Sequence, residues 1–246
     1  MTVRDDVSGK LTRDRHSDGT GIDEPKSVRF LPVTRLALFD LDNTLIDRQT
    51  AVTDAVAALC LAHGYSTTIE QRLRSELADR AHPSDFARLC AAFDLTEPAE
   101  RLWQEYVDLM AATVTCHPEV LNGLACLREA GWTIGIVTNG ASDIQRTKLT
   151  AVGLADLVDG VAVSGDLEIR KPDRQLFELA ATRCGKNLVG GWMTGDDPAG
   201  DIGGGREAGL RTIWLRGRPW PDGLPPADHD VDDVTDAINI LLEETE

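Results

Sequence analysis

The chain is short of bases. Its 246 residues carry 25 Lys and Arg against 41 Asp and Glu, a formal charge of −16. That balance argues against a broad surface for nucleic acid or for an anionic membrane. No apolar run approaches the ~18 residues of a membrane span, and the first residues lack the apolar stretch of a secretory signal. Five cysteines (Cys60, Cys90, Cys116, Cys126 and Cys184) form no CxxC pair. They read as free thiols packed as small hydrophobes, and this usage points to a cytoplasmic protein. No internal repeat or low-complexity tract is present. If the ligand is an anion, something local must overcome the global repulsion.

What is present is ordinary globular composition, 42% hydrophobic and 27% charged. Residues 1–33 hold six acids and six bases without usable periodicity and read as a disordered leader. An apolar run at 36–41, broken by Asp40, reads as a buried parallel strand ending at a site. Four segments within 51–113 then carry helical i, i+3, i+4 spacing, punctuated by Gly64, Pro83 and Pro98, with no strand between them. These predict an inserted helical bundle over 49–115, flanked by a core at 34–48 and 116–246. Beyond the insertion, strand-like and helix-like segments alternate. That rhythm predicts an α/β fold with a mostly parallel sheet and helices on both faces. The tail after Arg218 has nine acids and no Lys or Arg, and it reads as a solvated acidic face ending in a helix.

In an open sheet of this kind ligands bind at the carboxyl ends of the strands. LFDLDNT puts Asp40 and Asp42 past one strand, IVTNG puts Thr138, Asn139 and Gly140 past another, and MTGDDPAGD puts Asp196, Asp197 and Asp201 past a third. Lys171 of RKPD precedes a helix. Taken singly, an Asp after a strand is a turn former or helix N-cap, and a Lys before proline is a solvated surface residue. Asp40 is harder to dismiss. Two carboxylates at i and i+2 repel unless a cation sits between them.

In this order the set resembles the haloacid dehalogenase superfamily of hydrolases, mostly phosphatases. Asp40-Leu41-Asp42-Asn43-Thr44 matches its first motif, Thr138 its second, Lys171 its third, and Gly195-Asp196-Asp197 with Asp201 its fourth. The resemblance covers about 36–215 and puts the helical insertion where that family carries its C1 cap. One departure is Gly200, where many relatives have Asn before the last acid.

The resemblance implies a Rossmann-like core with a helical cap that closes over the site and sets specificity. It further implies Asp40 as nucleophile, forming an aspartyl-phosphate, and Asp42 as general acid and then base. Thr138, with the backbone amides near Asn139 and Gly140, would hold phosphate oxygens, and Lys171 would neutralise charge. Mg²⁺ would be held by Asp40, the Asp42 carbonyl and Asp196, supported by Asp201. The family's dehalogenases lack an acid two residues after the nucleophile, so Asp42 favours phosphoryl chemistry. Its phosphonate-cleaving branch needs a cap lysine, and 48–116 contains none. The implied activity is Mg²⁺-dependent hydrolysis of a small phosphorylated metabolite. A sugar-phosphate mutase or a non-catalytic regulatory protein on the same core is the alternative, as a monomer or homodimer. Arg48, at the hinge into the insertion, is either a contact for an anionic substrate group or a solvated hinge residue.

Overall fold

The computed structural model describes residues 35–244, and the leader expected at 1–33 lies outside the described residues. Strand β1, Leu36–Phe39, has every residue fully buried. Successive side chains point to opposite faces: Ala37 and Phe39 enter one apolar cluster, Leu36 and Leu38 a second. Both faces are covered, so the strand reads as a continuous apolar run.

β1 pairs in parallel with β2 (Thr133–Thr138) on one side and β4 (Trp192–Gly195) on the other. Adding β3 (Gly160–Val163), β5 (Arg211–Leu215) and β6 (His229–Val231) gives a six-stranded sheet of order β3-β2-β1-β4-β5-β6. Every neighbouring pair is parallel. The order reverses at β1, which places the ligand crevice at its carboxyl end.

Five helices lie between β1 and β2, the first four being α1 (Arg48–His63), α2 (Thr67–Leu77), α3 (Pro83–Phe93) and α4 (Ala99–Thr113). Asp47 starts α1 by accepting from the Thr50 N–H, and Gly64, at φ 63°, ends it in the left-handed region that glycine enters freely. His82 and Asp85 cap α3 reciprocally. Leu59, Phe86, Trp103 and Tyr106 of these helices belong to the same apolar cluster as Ala37 and Phe39 of the sheet. Trp103 also donates to Asp143 Oδ2 at 2.6 Å, joining α4 to α6 (Ser142–Ala151). The remaining helices are α5 (Pro118–Glu129), α7 (Arg174–Arg183), α8 (Gly204–Glu207) and α9 (Val234–Glu243).

The acids described in the tail after Arg218 are exposed, as expected of a solvated acidic face, and several of them also make contacts. The tail contributes edge strand β6, and three of its acids find partners there: Asp232 pairs with Arg216 at 2.6 Å, Asp230 with the same guanidinium, and Asp228 accepts from the Thr212 N–H at 2.8 Å. Asp233 caps α9. All five cysteines are free, but Cys126 is exposed rather than packed. Burial pushes the Cys60 thiol up to about 11, so it is no nucleophile at neutral pH. Among the described residues no helix is long and apolar enough to cross a membrane.

Candidate active site

Asp40 directly follows β1 and is 6% exposed. Its N–H donates to the Thr194 carbonyl at 2.9 Å, which ties the loop to β4. Lys171 Nζ lies 2.6 Å from Asp40 Oδ1 and 2.6 Å from Asp201 Oδ1, so two buried carboxylates share one ammonium. Asp201 Oδ2 accepts from the Asp197 N–H at 3.0 Å, while its Oδ1 faces the ammonium without a well-directed hydrogen bond. Asp196, just past β4, accepts from Arg218 Nε at 2.7 Å. Gly195 makes this packing possible: a Cβ there would sit 2.1 Å from Asp201 Oδ2. Gly200 has a local reason too, since a Cβ there would lie 2.6 Å from Asp197 Oδ2.

Burial pushes Asp40, Asp196 and Asp201 above the usual carboxylate range, Asp196 to about 6, although Lys171 and Arg218 pull the other way. Burial also disfavours the Lys171 ammonium, but Asp201 and Asp40 outweigh it and hold the lysine charged. When all three are ionised, three carboxylates face two cations, leaving one surplus negative charge. One oxygen from each of Asp40, Asp196 and Asp201 lies within 4.8 Å of the others. An all-oxygen, buried set that is under-neutralised when ionised fits a hard divalent cation.

Asp42 has a separate set of partners. Lys148 Nζ is 2.6 Å from its Oδ1, and Gln145 Nε2 and Arg48 Nε are 3.0 and 3.6 Å from its Oδ2. Burial alone would raise Asp42, but Lys148, Arg48 and Gln145 together hold it below the usual carboxylate value. Gln145 also donates to Thr138 Oγ1 at 2.6 Å, leaving that hydroxyl proton free for another acceptor. The Asn139 side chain clasps the Lys171 backbone, accepting from its N–H at 2.9 Å and donating to its carbonyl at 3.3 Å. The Gly140 N–H donates to Ser164 Oγ at 2.9 Å, so this amide is engaged by protein.

Arg48 is neither solvated nor free. It is 6% exposed, with Nη2 donating to the Leu77 carbonyl at 2.7 Å and Nη1 to the Ala78 carbonyl, at the end of α2. Asp40, Asp42, Arg48, Thr138, Asn139, Lys171 and Asp196 line one cavity of about 460 Å³, with Arg170, Arg216 and Arg218 also on its wall. None of its described lining residues is aromatic.

The sequence reading missed Gln145, Lys148 and Arg218. For the first two a signal exists in α6. Gln145 and Lys148 sit three residues apart among the apolar positions Ile144 and Leu149, and all four are buried. Polar residues on the inward face of a helix require partners. Arg218 follows β5 with no pattern to mark it.

The profile of the haloacid dehalogenase-like hydrolases matches residues 37–215. The phosphoserine phosphatase of Thermus thermophilus is 38% identical over 112 residues, 46% of this chain and 43% of that protein. The glyceraldehyde 3-phosphate phosphatase of Methanopyrus kandleri is 29% identical over 213 residues, 81% of this chain and 91% of that protein. The crystal structure of a 2-haloacid dehalogenase from Pseudomonas syringae superposes with a TM-score of 0.63 at 28% identity, covering 86% of this chain and 99% of that one. The chain therefore spans less than half the length of the first of these relatives and most of the other two.

Proposed function

The chain belongs to the haloacid dehalogenase-like hydrolases, and from that premise we propose that it is a Mg²⁺-dependent phosphatase of a small phosphorylated metabolite. The observation that carries this reading is the meeting of Asp42, Asp40 and Asp196 at one cavity, with Asp201 buried behind them completing the carboxylate cluster. Dehalogenation at carbon has use for neither a second acid nor a metal. Phosphoryl transfer uses both.

Asp40 attacks phosphorus and the ester P–O bond breaks; Asp42, ionised beside Lys148 before substrate binds, first takes a proton and then passes it to the leaving oxygen. Lys171 holds the Asp40 carboxylate from the side and offsets charge on the phosphoryl oxygens. Thr138, its oxygen occupied by Gln145, directs its hydroxyl proton toward a phosphate oxygen. Bound at Asp40, Asp196 and Asp201, with the Asp42 carbonyl, Mg²⁺ would supply the positive charge that lets an anion enter an acidic site. Water then hydrolyses the aspartyl-phosphate.

The helical insertion is read as a cap, with α2 closing one side of the cavity through Ala78 and Asp79. A volume near 460 Å³ suits a sugar- or triose-sized ester. A polar wall without an aromatic platform disfavours a nucleobase. A panel of phosphorylated metabolites, run with Mg²⁺ and with EDTA, tests class and substrate together. Turnover that EDTA leaves intact would sink the metal assignment, and inertness toward the whole panel would sink the phosphatase reading.

A further inference from the structure

Behind Asp42 stands a buried lysine, Lys148, for which the proposed reaction has no task. Lys148 is 2% exposed on a helix face shared with Ile144 and Leu149. A buried ammonium is costly unless its charge is met, and among the described residues Asp42 is its ion-pair partner, at 2.6 Å. Gln145 bridges Asp42 Oδ2 and Thr138 Oγ1 at 3.0 and 2.6 Å. Arg48 approaches the same Oδ2 at 3.6 Å while its other nitrogens bond the last carbonyls of α2. Asp40 and Asp42, two residues apart, are thus served by different lysines, Lys171 for the first and Lys148 for the second.

We propose that Lys148 is a positioning residue. With Gln145 and Arg48 it fixes the Asp42 carboxylate where it takes the proton of the water that hydrolyses the phospho-enzyme. This rests on the phosphatase reading above. In that step the water oxygen bonds to phosphorus, and the bond from phosphorus to the Asp40 oxygen breaks with its electron pair returning to Asp40. The water proton passes to Asp42, which has become an anion by giving its own proton to the leaving alcohol. An anion is the state that two cations and an amide N–H hold in place. Arg48 adds a mechanical link, because its guanidinium joins this carboxylate to the end of α2.

The test is Lys148→Met with p-nitrophenyl phosphate and Mg²⁺. Nitrophenolate departs without needing a proton, so formation of the phospho-enzyme is indifferent to Asp42, whereas its hydrolysis is not. The variant should lose at least about tenfold in kcat, with KM falling in step so that kcat/KM holds within about twofold. Rapid quench should reveal a burst approaching about one nitrophenol per site. Combined with Asp42→Asn, the substitution should slow turnover no further than Asp42→Asn alone. Parallel loss of kcat and kcat/KM without a burst, or a double variant slower than the single, overturns the role of Lys148. Should the methionine variant fail to fold, Lys148→Gln, which keeps an N–H donor without the charge, is held to the same criteria. A wild-type protein inert toward every phosphate ester overturns the phosphatase reading itself, a separate result.

Discussion

Asp40 is held in a state that chemistry can use and folding does not favour. Burial raises its carboxyl, and it competes with Asp201 for one ammonium. Asp40→Asn should therefore cut turnover by at least about a thousandfold while the metal-free variant melts no lower than wild type. A thermal melt in EDTA beside an aryl-phosphatase assay checks both. Gly195 carries the opposite trade: Gly195→Ala drives a Cβ to 2.1 Å from Asp201 Oδ2. It should cost about 1–3 kcal/mol in denaturant unfolding and weaken Mg²⁺ binding, measured by calorimetry. At this scale the legible residues were those at strand ends. Asp40, Thr138 and Asp196 interrupt or close apolar runs, and topology makes that position meaningful. Lys148 and Gln145 lie inside a helix, where the eye passes over a polar residue unless its neighbours mark the face as buried.

Among elements, the join between α2 and the β1 loop depends on Arg48. Arg48→Ala would leave the Leu77 and Ala78 carbonyls without their donors and Asp42 with one cation fewer. About 3 kcal/mol of destabilisation is expected, read from urea midpoints; a loss under about 0.5 kcal/mol would mean the contacts are not formed in solution. Element types along the sequence were legible because helical and strand periodicities differ and the chain alternates them cleanly. Two features were not. Strand β6 is three residues, His229–Val231, with Val231 its one apolar member; its pairing with β5 makes it a strand, and pairing leaves no periodicity in so short a run. Arg48 read as either a contact for an anionic substrate group or a solvated hinge residue, since nothing in its own neighbourhood announces that carbonyls some thirty residues later will receive it.

For the molecule as a whole, the −16 is distributed by task. Part of it is the exposed tail, where Asp228, Asp230, Asp232 and Asp233 face solvent and also contact β5, Arg216 and the start of α9. Another part is the surplus charge at the site. Because burial lifts Asp196 from 3.8 to about 6, its ionisation destabilises the metal-free fold progressively as pH rises through that window. Mg²⁺ must displace any proton there and then relieves the repulsion. The rise in melting temperature on adding Mg²⁺ should therefore be small at pH 5 and large at pH 8. Scanning fluorimetry with Mg²⁺ against EDTA reads this directly, and an equal shift at both values would remove Asp196 from the coordination shell.

The strand order carries a kinetic consequence. β1 finds one neighbour at Trp192, some 155 residues further along the chain, and no stretch ending before β4 contains both Asp40 and Asp196. Closing so long a loop is slow. During synthesis the nucleophile strand emerges early and waits with an open edge until most of the chain has followed. Activity should appear late in refolding, after helical signal has recovered in the insertion, and C-terminal truncations ending before β4 should be inactive however well their helices form.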